Sequence, residues 1–266
     1  MAEKEQSSNS IGKALDIMED LSEYGPSALA SLNQRLGLDK GTLHRILKTL
    51  KDRGYVAQNR VDRRYFNTTR MFQLGSREIE RGGLRVLARP YLEKLAAAFR
   101  EVIHVAIIVE NDKAICVDKI EAVPGSQMRL NMTLGSEVSL YASSAGKCLV
   151  AFAEEAVQAR ILPKIKYERL SPSTIRGAVA FKKELARIKA QGFAIDDGET
   201  LESIYCVGAP VLRHSGDAYA AISVSGPRSR MLEKKNEVIR TLKAYSKELS
   251  ILYGLPPDKW PINDLD

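Results

Sequence analysis

Within LGLDKGTLHRILKTLKDRGYV (36–56), Leu43, Ile46, Leu47 and Leu50 recur three and four residues apart. That spacing buries one face of a helix. The positions between them, Lys40, Thr42, His44, Arg45 and Lys48, form a polar and largely cationic opposite face. Upstream, Ile11, Ala14, Leu15, Met18 and Leu21 predict the buried stripe of a first helix with Ser10 as its N-cap. Gly25 and Pro26 end it. A second short helix covers about 29–36, Gly37 and Leu38 make a tight turn, and Asp39 caps the third helix, which Gly54 stops. YVAQN and RRYFN then read as two strands around a turn at 60–62. Helix, helix, turn, helix and hairpin is the order of a winged helix-turn-helix.

The pattern changes twice more. RMFQLGSREI is helical again, Gly82 and Gly83 interrupt it, and an amphipathic helix follows over 84–99 as a connector. Beyond it IHVAIIVE (103–110) and AICVDKI (114–120) alternate as strands, with QMRLNM as a third. Helices are expected near 144–152, 154–162 and 179–191, strands at FAID, YCVGAPV and AYAAISVSG, and a closing helix over 231–252. The predicted fold class is therefore α+β and multidomain. The expected division is a disordered leader (1–9), a winged helix-turn-helix (10–68), linker helices (69–100), an α/β sensor-like domain (101–254) and a tail (255–266).

Composition narrows the function. Apolar residues make up 44% and charged residues 27%, ordinary for a soluble globular chain. No apolar run approaches the roughly 18–20 residues that span a bilayer, and MAEKEQSSNS lacks the apolar core of a signal peptide. Cys116, Cys148 and Cys206 are odd in number and irregularly spaced. They suit neither a disulfide framework nor a zinc site, so a reduced, cytoplasmic setting without metal or other cofactor is expected. The net charge of +7 is concentrated: residues 33–70 hold ten bases against three acids, an excess of seven that equals the whole chain's. A local cationic field on a helix-turn-helix points to a polyanionic partner, double-stranded DNA.

LGLDKGTLHRILKTLKDRGYV followed by RRYFNTTRMFQLG, and then LYASSAGKCLVAF, KELARIKAQGFAIDDGE, YCVGAPV and AAISVSGPRSR, together resemble the isocitrate lyase regulator (IclR) family over nearly the whole chain. The resemblance implies a winged helix bound to operator DNA, a GAF-like domain that binds a small metabolite, and a homodimer or dimer of dimers. Read this way, the chain is a ligand-responsive repressor, with activation as the alternative, of a catabolic operon.

The third helix should then lie in the major groove with Lys40, Gly41, Thr42, His44, Arg45 and Lys48 on its exposed side, while Arg60, Arg63 and Arg64 of the hairpin reach backbone or minor groove. Gly41 stands where the family usually has Ser or Thr. For the effector site the resemblance implies Leu130, Val138, Ser144, Ala145, Asp196, Ile204, Cys206, Ser223 and Ser225. Ser144 and Ala145 open a helix whose N–H groups suit a carboxylate, and Ser223 and Ser225 alternate on one strand, so both hydroxyls share a face. A helix N-terminus, two hydroxyls and one carboxylate suit a small oxygen-rich acid. Gly198, Ser203, Tyr205 and Tyr141 depart from the family pattern and bear on which acid.

An enzyme is the competing class. Ser144-x-x-Lys147 has the spacing of a serine nucleophile and its lysine base, but no Ser-Asp-Asn or Lys-Thr-Gly accompanies it. As a phosphate loop, SSAGK has Tyr141 in place of the first glycine and Cys148 in place of the hydroxyl. Lys147 reads instead as a helix-surface or interface residue. Asp196 and Asp197 are adjacent on a strand and point to opposite faces. His104, inside an alternating strand, reads as an ordinary partly buried residue.

Overall fold

Leu43, Ile46, Leu47 and Leu50 all face inward on a helix that runs Lys40–Asp52 (α3). The computed structural model describes residues 10–74, 83–110, 112–121 and 132–260, in two units divided between Gly82 and Gly83. In the first unit α3 follows α1 (Ser10–Tyr24) and α2 (Leu29–Leu36) and precedes a hairpin of β1 (Val56–Gln58) and β2 (Tyr65–Asn67). The hairpin is antiparallel, with Val56 opposite Asn67 and Gln58 opposite Tyr65. Gly37, at φ 62°, ends α2 in the left-handed region and donates its N–H to Asn33 O, which places the turn without strain. Asp39 caps α3 by accepting the Thr42 N–H at 2.9 Å. Ile17, Leu21, Leu32, Leu43, Leu47, Val56 and Tyr65 form the small core.

One part of the first helix differs from its predicted stripe. Ile11 is 74% exposed and Leu15 50% exposed, because α1 packs along its C-terminal half, where Ile17, Asp20 and Leu21 are buried. Asp20 is held there by Arg35, whose Nε and Nη2 donate to its two oxygens at 2.8 and 2.6 Å. After β2, residues 70–74 are helical.

The second unit is a six-stranded antiparallel sheet between two helical layers. Its strands are β3 (Val102–Ile108), β4 (Ala114–Ile120), β5 (Glu137–Val138), β6 (Ala194–Asp197), β7 (Ile204–Leu212) and β8 (Ala218–Pro227), in the order β5-β4-β3-β8-β7-β6. The predicted strand over 127–132, and Leu130 with it, lies outside the described residues except for Met132. On one face lie α4 (Leu84–Phe99) and α9 (Lys235–Leu252); on the other lie α5 (Ser144–Ala151) and α7 (Ala178–Gln191), with α6 (Glu155–Ile161) joined to that layer. The helix read as a connector thus buries Leu84, Ala88, Leu92, Leu95 and Phe99 in the core of this unit. The closing helix is in two pieces, α8 (Arg228–Glu233) and α9. The break falls at Lys234 (φ −110°, ψ 12°), whose ammonium turns to Phe99 O and to Glu101.

Strand alternation sorts the sheet's two faces. Ile103, Val105, Val207, Ala209, Val211, Ile222 and Val224 meet the α4/α9 layer. Residues between them face α5 and α7, and there the pattern becomes polar: His104, Cys206, Ser223 and Ser225, with Asp196 on β6. Among the described residues no helix is long and apolar enough to cross a membrane.

Candidate functional site

The first candidate site is the outer face of α3 with the adjoining hairpin. Lys40, Gly41, His44, Arg45 and Lys48 are exposed and Thr42 is half-buried, as helical periodicity requires once the leucines point inward. Asp39 occupies one of the N–H groups at the helix start, and those donors hold its carboxyl below the ordinary range. Lys48 pairs with Asp52 at 2.8 Å, both largely exposed, a contact that salt screens. Arg60, Arg63 and Arg64 are exposed on the hairpin loop. Arg63 sits at φ 59° with its carbonyl fixed by the Gln58 side chain at 2.8 Å. Not every base of the cluster is available to a partner: Arg35 is committed to Asp20 and to Ser27 Oγ.

The second candidate is a cavity of about 180 Å³ between the sheet and the N-terminus of α5. Gly208 permits this close approach, and Gly146 lets the same helix turn pack against Ser139 and Leu140. A Cβ at Gly208 would stand 2.8 Å from the backbone of Ser144, and one at Gly146 would run into Ser139 O. The first turn of α5 therefore lies directly on β7. Ser143 caps it, accepting the Gly146 N–H at 3.0 Å. The Ser144 and Ala145 N–H groups, at the first two helical positions, have no partner within the helix. Such an end favours an anion.

Register gathers the rest. Cys206 lies opposite Ser225 on β8 and opposite Asp196 on β6, and Ser223 lies opposite His104 on β3. Val138, Ser144, Asp196, Ile204, Cys206 and Ser225 all line the cavity. Ser223 sits just behind, its hydroxyl 2.9 Å from that of Ser144 and 3.4 Å from that of Ser225. Ala145 is fully buried in the same helix turn. Asp196 accepts the N–H groups of Glu199 (2.7 Å) and Thr200 (3.2 Å) and the Thr200 hydroxyl. Burial nonetheless pushes its carboxyl upward. Asp197 faces away and pairs with Arg228 at 2.6 Å. Cys206 is desolvated, its thiol raised well above the ordinary value, so it acts as a neutral wall. A larger groove of about 500 Å³ involves Leu140, Tyr141, Ile161 and Lys164, but it lacks this convergence of buried polar groups.

Two residues are placed otherwise than the sequence suggests. Lys147 is wholly buried, because every residue of α5 is buried and the helix has no surface face. Its ammonium donates to Glu199 Oε1 and Ile195 O and lies 3.6 Å from Glu184. With Ser144 bonded to Ser223, serine and lysine do not form a nucleophile–base pair. His104 is 4% exposed, lines the cavity, and among the described residues has no hydrogen-bond partner on either ring nitrogen. Thr200 and Ser143 also line the cavity without having been singled out in the sequence. A weak signal for both existed, since Thr200 follows the DDGE turn and Ser143 immediately precedes Ser144. Among the described residues no cluster of His, Cys, Asp and Glu could hold a metal ion.

Comparison with known proteins places the chain in a family. The model of the bacterial transcriptional regulator IclR C-terminal region matches residues 77–251, and that of the IclR helix-turn-helix domain matches residues 10–60. The uncharacterized HTH-type transcriptional regulator RhmR of Escherichia coli K12 is 31% identical over 245 residues, covering 92% of this chain and 93% of that protein. The transcriptional repressor IclR of the same organism is 27% identical, covering 92% and 90%. The crystal structure of Thermotoga maritima IclR matches with a TM-score of 0.72 at 26% identity, covering 93% of this chain and 100% of that one. An IclR homolog of Microbacterium hydrocarbonoxydans, complexed with 4-hydroxybenzoate, has the same fold, with a TM-score of 0.77 at 20% identity over 92% and 100% of the two chains. A helix-turn-helix with an exposed basic face, a sheet domain with a polar cavity, and similarity along nearly the full length lead to one conclusion: the chain belongs to the IclR family of bacterial helix-turn-helix transcriptional regulators.

Proposed function

We propose that this regulator represses its target operon through operator DNA and is released by a small organic acid held in the cavity between α5 and the sheet. The observation that carries this reading is the convergence of the α5 N-terminus with Ser144, Asp196, Thr200 and Ser225 around one cavity. At about 180 Å³ that space is smaller than the roughly 300–1,000 Å³ of drug-sized sites, which favours a metabolite of a few heavy atoms. Backbone N–H groups and hydroxyls supply donors for a carboxylate, and the apolar Val138, Ile204 and Cys206 bound its carbon skeleton. The 4-hydroxybenzoate carried by the Microbacterium relative is an acid of this kind.

On the DNA side, α3 enters the major groove, with Arg45 and His44 at base edges and Lys40, Thr42 and Lys48 toward phosphate. Arg60, Arg63 and Arg64 contact the backbone or minor groove beside it. A homodimer, or a dimer of dimers, sets two such helices about one helical turn apart, ~34–36 Å, or a multiple of it. The acid releases DNA only as far as it binds the quaternary arrangement that misplaces them.

Two variants test the reading, assayed on a duplex that the wild type selects from a random library. Arg45→Ala loses about tenfold or more in affinity for that duplex over random DNA, yet keeps the thermal stabilisation that binding acids give. Ser223→Ala with Ser225→Ala keeps DNA binding and loses the response to acid. Unchanged DNA specificity in the first variant, or an undiminished response in the second, refutes the corresponding half of the proposal.

A further inference from the structure

His104 is the polar group of the cavity stripe that none of the described residues satisfies. Ser144, Ser223 and Ser225 bond to one another, and Asp196 is held by Glu199 and Thr200. His104 lies on β3 between Ser223 on one neighbouring strand and Lys119 on the other. It is 4% exposed, and among the described residues neither ring nitrogen has a hydrogen-bond partner. Buried polar atoms in native proteins are nearly always paired, and an exception calls for an explanation in function. Here the ring borders the cavity that also holds Ser144, Asp196 and Ser225, so the missing partner has a place to be.

The charge of the ring decides what that partner is. Burial, with the Lys119 ammonium nearby, lowers its pKa to about 4, so the imidazole is neutral near pH 7. A neutral imidazole offers one N–H donor and one lone pair, and it lacks the positive charge that would make it a carboxylate clamp. The carboxylate has its own seat at the α5 N-terminus.

We propose that His104 is a specificity-determining ligand contact, whose imidazole receives a second polar group, a hydroxyl or oxo oxygen, of an acid seated by its carboxylate at the start of α5. This inference rests on the acid-effector reading above and adds to it a requirement: the acid must carry that second oxygen. Acids of the same skeleton without it leave the ring unpaired and bind more weakly.

The test uses the full chain and two matched pairs of probes, lactate with propionate and 4-hydroxybenzoate with benzoate, in titration calorimetry. The wild type prefers the hydroxylated member of at least one pair by about tenfold, the scale of one hydrogen bond that spares a buried group from going unmet. His104→Phe keeps the ring's shape and the affinity for the unsubstituted acid but loses the preference. His104→Asn, which retains one donor and one acceptor, recovers part of it. A preference that persists in His104→Phe overturns the proposal while leaving the acid-effector reading intact. An equal loss for both members of a pair marks a merely structural role and overturns it too. If neither pair binds the wild type, both readings fail together.

Discussion

Lys147 is the residue whose environment most separates the structure from the sequence, and replacing it has a calculable consequence. In the wild type its ammonium, wholly buried, touches Glu199, whose side chain is 11% exposed, and lies 3.6 Å from Glu184. Burial pushes the Glu199 carboxyl upward even against the pull of that ammonium. Lys147→Met preserves the alkyl packing and removes the charge. Breaking one side of a buried pair typically costs about 3–5 kcal/mol, because the remaining charge is left without compensation. Protonation of Glu199 offers an escape, which places the expected loss near ~3 kcal/mol at pH 7.5. It also makes the loss depend on pH. Below about 4.5, the ordinary Glu value, the carboxyl is protonated folded and unfolded alike and the electrostatic penalty is absent. Because the folded pKa is the higher one, stability falls as pH rises through it, further in the variant than in the wild type. The double variant Lys147→Met, Glu199→Gln should recover most of the loss, since a neutral packed pair replaces an ionic one at little net cost. Urea unfolding followed through Trp260, the sole tryptophan, which packs against this core, gives the double-mutant cycle directly. A loss below ~1 kcal/mol for Lys147→Met at pH 7.5, or no recovery in the double variant, would falsify the buried pair and return Lys147 to the surface.

Two further outcomes follow from the same unit. Gly208→Ala forces its new Cβ against the Ser144 backbone, 2.8 Å away, so it should destabilise by about 1–3 kcal/mol and weaken acid binding by lifting the start of α5. Unaltered denaturation midpoints and acid affinity would show that the helix does not rest on β7. His104, with a folded pKa of about 4 against an ordinary 6.5, stabilises the neutral-pH fold. That contribution is complete above about 6.5 and declines toward 4, a loss of about 2 kcal/mol by pH 5. His104→Phe should therefore lose less stability than the wild type between pH 7.5 and 5, and parallel urea midpoints across that range would contradict the buried neutral ring.

Both architectures were legible in the residue pattern, because periodicity is a local property. The leucines of α3, Asp39 as its cap and Gly37 as the turn act within a few residues of one another, so chain order alone determines which face is apolar and which is cationic. The serine pair on β8 was legible for the same reason: alternation along one strand sends both hydroxyls the same way. The partial misreading of α1 shows the limit. Ile11 and Leu15 belong to its apolar stripe, but how far a stripe is covered depends on what packs against it.

What the tertiary structure alone decided is which distant groups meet. His104 and Ser223 are strand neighbours only because β8 inserts beside β3, and Lys147 is buried only because Glu199 and Glu184 arrive from other elements to pair with it. A charged or polar side chain carries no local sign of burial, since burial of such a group is stable only when partners supplied by remote segments compensate its desolvation. The sequence thus determined the elements and their apolar and polar faces, while tertiary packing determined which polar groups were satisfied and which, like His104, were left facing a cavity.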